Sequence, residues 1–185
     1  MKKVTKKSSK KKVAKKKASE SKAKPRMSMK KKTGRFALTS SRKGLTSRIT
    51  AAHANGSVES LVEAIKDDHK DLKKFIEIMK SEDAEMSEKS DAAESFMELL
   101  KSHAPSEEKV LYERSLKIKE LRVMADEGYI EHHIADNLMT TMPSKKHHDR
   151  WIAQVKVLAE LVEHHIEEEE SDFLPEFEKH FAWDK

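Results

Sequence analysis

The sequence predicts an all-α protein: a four-helix bundle preceded by a disordered basic tail. Charge is split between the two ends of the chain. Four stretches repeat apolar residues at alternating steps of three and four, the seam of a helix that packs in a bundle. Nowhere do Val, Ile and Thr alternate with polar residues over a useful length, so strand signals are missing.

The chain has 185 residues, 36% hydrophobic and 38% charged. Residues 1–50 carry 20 Lys or Arg and a single acid, Glu20, for a net charge of +19. Residues 51–185 carry 18 basic and 32 acidic residues, for a net of −14. The overall pI of about 9.1 therefore describes neither part. From Met1 to about Lys32 the composition is Lys, Ser, Ala and Thr, with almost nothing to bury, and such a segment is expected to be disordered alone. Residues 34–56 hold scattered apolar residues (Phe36, Leu38, Leu45, Ile49) without a sustained period and read as linker. The expected domains are thus a tail and linker over 1–56 and a bundle over 57–183.

Absence of cysteine excludes disulfides, thiolate catalysis and thiolate metal sites, so any metal must be held by nitrogen and oxygen. No run of 18 apolar residues is present to span a membrane. The basic N-terminus is followed by no apolar run, unlike a secretory signal, and lacks the Arg-rich amphipathic pattern of a transit peptide. The expected location is the cytoplasm, with nucleoid association through the tail.

The first helix is expected from about Val58 to Lys80, after Ser57, with the inward line Val62, Ile65, His69, Leu72, Ile76, Met79. The second runs from about Ser90 to Lys117, with Phe96, Leu100, His103, Glu107 and Val110. The third runs from about Glu120 to Met142 and stops at Pro143, on the line Ala125, Gly128, His132, Ala135, Met139, Met142. The fourth runs from about Lys146 to Asp172, on the line Trp151, Val155, Leu158, Val162, His165, Glu169. A short helix after Pro175 closes the chain.

Each helix therefore places one histidine on its own apolar line. A buried imidazole needs a hydrogen-bond partner or a metal, because an unsatisfied polar group costs roughly 1–3 kcal/mol. A lone core histidine is ordinarily just hydrogen-bonded; four, one per helix, point to a shared ligand. Two helices also share a pattern: His103-x-x-x-Glu107 followed by Leu111-Tyr112, and His165-x-x-x-Glu169 followed by Phe173-Leu174. Positions i and i+4 lie on one helix face, so imidazole and carboxylate can meet one metal pair together. A carboxylate can bridge two ions with its two oxygens. Without a metal, two Glu on the seam would be buried charges, or would face solvent at a frayed bundle end. His164 falls on a largely polar line and is expected outside. His133 is on a poorer seam than His132 and stands in reserve. His53, His147, His148 and His180 lie off the lines.

Together these residues resemble the bacterial hemerythrin-like domains of the HHE cation-binding group, from about Leu61 to Phe181. The matching pieces are Asp68-His69 with Leu72 and Phe75-Ile76, His103-x-x-x-Glu107-Glu108 with Leu111-Tyr112, Glu131-His132 with Leu138-Met139, and His164-His165-x-x-x-Glu169 with Phe173-Leu174-Pro175. The resemblance implies an up-down-up-down bundle. It also implies two non-haem iron ions with carboxylate and oxo or hydroxo bridges, although imidazole and carboxylate suit other divalent metals too. Its terminal ligands would be His69, His103, His132 and His165, its bridges Glu107 and Glu169. The small ligands implied are O2, NO or peroxide, for a metal- and O2-binding protein rather than a dedicated enzyme.

Two features depart from the family pattern. Oxygen-carrying hemerythrins place two histidines four apart on the third helix, and the partner position here is Asp136. That favours redox chemistry or sensing over reversible O2 binding, and leaves His133 and Asp136 as possible additional metal ligands. Pro105, between His103 and Glu107, removes a backbone hydrogen bond and is expected to bend the helix.

Other functions are less well served. A ferritin-like di-iron bundle needs Glu-x-x-His on two helices, and no histidine here has Glu three residues before it. The H-E-x-x-H of zinc hydrolases is absent. The alternative class is a nucleoid-type DNA-binding protein whose bundle is structural or protects against iron and oxidative stress. A flexible polycation binds nucleic acid by counterion release, without reading sequence. The expected contacts are Lys2, Lys3, Lys6, Lys7, Lys10, Lys11, Lys12, Lys15, Lys16, Lys17, Lys30, Lys31 and Lys32. The tail's composition is similar to histone H1-like tails. Anionic lipid and the chain's own acidic bundle are competing partners for it.

Overall fold

The computed structural model describes residues 46–54 and 57–181. The lysine tail assigned to nucleic acid lies outside the described residues.

The described residues form helices only: α1 (Ile49–Ala54), α2 (Val58–Lys80), α3 (Met86–Glu107), α4 (Glu113–Ser115), α5 (Arg122–Thr140), α6 (His148–Glu168) and α7 (Leu174–Phe181). Two π-helical turns, Glu108–Tyr112 and Glu169–Phe173, join α3 to α4 and α6 to α7. Ser57 caps α2, its hydroxyl accepting from the Ser60 amide at 3.0 Å. Glu85 and Glu88 form a reciprocal capping box that starts α3 four residues before the expected Ser90. The remaining boundaries fall within a few residues of expectation. The helix runs on through Pro105, and Pro175 sits inside α7 rather than before it. Pro175 directly follows the π-helical turn, within a continuous helical run.

Two apolar clusters fill the bundle. One contains Leu72, Phe75, Ile76, Phe96, Leu100, Trp151, Val155, Leu158 and Val162. The other contains Ile49, Leu61, Ile65, Leu111, Tyr112, Leu121, Ala125, Phe173, Leu174 and Phe177. Along α2 the chain passes from the second cluster to the first, along α3 from the first to the second, and the order reverses again in α5 and in α6. Alternating order of this kind is the up-down-up-down topology. On α2, α3 and α5 the histidine lies where one cluster gives way to the other, and on α6 it lies beside Ile166, the last residue of the first cluster.

Part of the expected linker belongs to the fold. Ile49 is fully buried in the second cluster, and Arg48 binds the buried Asp68 through its guanidinium (2.9 Å) and its amide (3.2 Å). The segment is too short to show a period, and only its long-range partners reveal it.

Candidate metal centre

Four helices bring His69, His103, His132 and His165 together with Glu107 and Glu169, all six buried. Glu107 Oε2 lies 3.3 Å from Nε2 of His103 and 3.5 Å from Nε2 of His132. Glu169 Oε2 lies 3.4 Å from Nε2 of His69 and 3.7 Å from Nε2 of His165. Each glutamate thus spans one histidine of α2 or α3 and one of α5 or α6. Two groups emerge, His69–His103–Glu107 and Glu107–His132–His165, each with ligand atoms within 4.8 Å of one another, and Glu107 is common to both.

The outward nitrogen of every histidine is held by a carboxylate from another helical segment. His103 Nδ1 donates to Asp68 on α2 (3.4 Å), and His132 Nδ1 to Glu108 at the end of α3 (3.0 Å). His165 Nδ1 donates to Glu131 on α5 (2.6 Å), and His69 Nδ1 to Glu170 after α6 (3.1 Å). The pattern closes a ring: each helix supplies the carboxylate that orients the histidine of the next. A proton kept on Nδ1 leaves Nε2 with a lone pair facing inward, the outer-sphere arrangement of metal-binding histidines. The inward lines of the helices give these four carboxylates no role. A signal was present, since Asp68, Glu108, Glu131 and Glu170 each adjoin one of the six central residues in the chain. A one-residue step turns a side chain about 100° round a helix, toward the neighbouring one.

Tyr112, expected only as an apolar residue, donates its hydroxyl to Glu169 Oε1 at 2.5 Å. Gly128 makes room for it: a Cβ there would stand 2.5 Å from the phenol oxygen. Glu169 keeps one free oxygen and Glu107 keeps two.

Among the described residues, five buried side-chain polar atoms lack a hydrogen-bond partner: His69 Nε2, His103 Nε2, both oxygens of Glu107, and Glu169 Oε2. All five converge here. Leaving such atoms unpaired costs roughly 1–3 kcal/mol each, so their concentration fits a cation as the missing partner. Imidazole nitrogens with carboxylate oxygens suit first-row divalent metals.

Electrostatics show the same need for positive charge. Burial by itself lowers the His103 pKa, but Glu107 and Asp68 outweigh it and push the imidazole up to about 10. His165 is likewise raised to about 8, as Glu169 and Glu131 overcome burial. Burial would raise Glu169, yet His165 and His69 hold it well below the usual carboxylate range. The hydrogen bond from His69 lowers Glu170 to about 2. Burial, then Glu169 and Glu107, lift the Tyr112 phenol well above its ordinary value.

His133 and Asp136 are exposed on α5, and neither joins the two ligand groups. They line a cleft of about 230 Å³ between α3 and α5, whose lining also includes His132, Glu108, Pro105 and the apolar Leu100, Ala104, Ala135 and Met139. His164 is exposed, as expected.

A helical bundle that converges imidazoles and carboxylates on one buried polar layer is a cation-binding fold. Residues 60–177 match the family described as hemerythrin HHE cation binding domain, and the chain belongs to that family. Comparison with curated proteins and with solved structures gave no match. No helix among the described residues is long and apolar enough to cross a membrane.

Proposed function

We propose that the bundle holds two non-haem iron ions and uses them to bind or sense O2, nitric oxide or peroxide, or to handle iron, while the basic N-terminal segment tethers it to nucleic acid. The observation that carries this reading is the set of five partnerless buried atoms ringed by four carboxylate-oriented histidines. His69, His103, His132 and His165 would supply terminal nitrogens. Glu107, with both oxygens free, and Glu169, with one oxygen held by Tyr112, would span the pair. When bound, iron supplies one-electron redox chemistry and positions for small ligands. The residues themselves fix the imidazole tautomers, exclude bulk water by burial, and place the Tyr112 hydroxyl as a donor to the central carboxylate Glu169.

Two features favour sensing or redox chemistry over oxygen storage. Asp136 stands where oxygen carriers have a fifth histidine, which leaves fewer imidazoles on the centre. The α3–α5 cleft borders His132, lined by apolar side chains together with Lys101, Glu108, His133 and Asp136, and would give a small ligand a way in. The net charge of +19 on residues 1–50 favours sequence-independent contact with DNA or RNA. Joined to such a tail, the bundle would respond to oxidants beside nucleic acid or keep iron chemistry away from it.

Iron analysis and absorption spectra of the full-length protein, under air and under nitrogen, test the centre. The expected result is about two irons per chain with an oxidation-dependent near-ultraviolet band. A colourless protein without stoichiometric iron rules the iron centre out.

A further inference from the structure

The H-x-x-x-E pattern occurs twice in the fourth long helix, one residue out of register. His165 and Glu169 turn inward to the buried layer. His164 and Glu168, one position earlier, turn outward, with side chains 62% and 46% exposed. His164 Nε2 lies 3.2 Å from Glu168 Oε1. Across the helix interface, α5 contributes Glu131, and ligand atoms of Glu131, His164 and Glu168 all lie within 4.8 Å of one another. Among the described residues, no lysine or arginine forms an ion pair with any of the three. Glu131 is not a free surface side chain: the hydrogen bond from His165 Nδ1 at 2.6 Å holds it in place.

We infer that Glu131, His164 and Glu168 form a second, peripheral site for a divalent transition-metal cation, distinct from the buried centre. The donors are one imidazole and two carboxylates, a set that suits zinc, ferrous iron or manganese. Two carboxylates with a neutral imidazole bring a charge of about −2, which a divalent cation neutralises. Three protein ligands on an exposed face leave positions for water, so the ion exchanges readily, as at a site of capture and not of storage. Glu131 links the two sites, because the same carboxylate orients His165. Occupancy of one site is therefore felt at the other, and by linkage the effect is reciprocal.

The test is zinc titration of full-length protein whose buried centre has already been saturated with iron, read by calorimetry and by equilibrium dialysis against buffered zinc. Wild type is expected to take one further zinc ion per chain. The H164Q/E168Q variant is expected to lose that binding by about tenfold or more, a scale on which even outer-sphere partners act. Its iron content, absorption spectrum and melting temperature should match wild type, since both residues are exposed. E131Q should weaken the zinc site and also shift the iron spectrum. Equal zinc stoichiometry and affinity in wild type and H164Q/E168Q overturns the inference. If the chain takes up no iron but still binds zinc in a manner sensitive to H164Q/E168Q, the peripheral site stands and the proposed iron centre falls.

Discussion

Glu107 is fully buried, neither of its oxygens has a hydrogen-bond partner, and it faces His103 of its own helix and His132 of α5. Its replacement should therefore cost the centre more than loss of any one imidazole. E107Q keeps the shape but lowers the charge. Its expected metal content falls from about two ions to one or fewer, measured by elemental analysis, with the helical circular dichroism retained. Gly128 acts at one remove. G128A forces a methyl into the Tyr112 ring, and overpacking of this kind costs about 1–3 kcal/mol. The expected signs are a lower melting temperature and an altered absorption spectrum, because the phenol can no longer rest against Glu169. Protonation supplies a third prediction. In the metal-free protein His103 (about 10) and His165 (about 8) are raised above the ordinary 6.5. The stability they confer is fully present below about pH 6.5 and is lost as pH rises through 8 and then 10. Glu170, lowered from 4.5 to about 2, contributes above about pH 4.5 and loses its contribution as pH falls toward 2. Melting of the metal-free protein is thus expected to peak in mildly acidic buffer and to decline toward alkaline pH. Metal must displace the imidazole protons, so metal affinity should climb with pH by about tenfold per unit for each proton released.

At the scale of elements, the two π-helical turns begin at or just after the two central glutamates. A π turn accommodates an extra residue and shifts the helical phase beyond it. That shift lets Val110, Leu111 and Tyr112 be buried consecutively, which an unbroken α-helix with one apolar stripe would not allow. The inward lines of the four long helices were legible in the apolar spacing up to Glu107 and Glu169, and most of those residues are buried. The π turns were not legible, because phase shifts are set by what the helix meets and not by its composition. The same holds for the short segment before α2. I49A should destabilise the bundle by about 2–4 kcal/mol in chemical denaturation, the cost of a large-to-small change in a closed core. A solvated linker would show no loss. The α3–α5 cleft also belongs to this scale. A104L narrows it and should slow azide association with the iron-loaded protein while leaving iron content unchanged.

At the scale of the whole molecule, a segment of net charge +19 is joined to one of −14. Removing residues 1–45 is expected to abolish binding to DNA of arbitrary sequence and to leave the melting temperature and metal content of the bundle unaltered. For the intact chain, the logarithm of the binding constant should fall linearly with the logarithm of salt concentration. Equal DNA binding by the truncated form would place the contact elsewhere.

The sequence by itself determined the helical class, the inward faces and the six central side chains, because alternating three- and four-residue steps place those side chains on one face whatever the neighbours are. It also determined the separation into a basic and an acidic part. Only the tertiary structure decided how the histidines are held. Asp68, Glu108, Glu131 and Glu170 lie off the inward lines, and each meets a histidine on another helix. Which carboxylate reaches which imidazole depends on helix order and rotation, neither of which a single helix encodes. The outward pair His164–Glu168 gains its third ligand, Glu131, in the same way, through packing of α5 on α6.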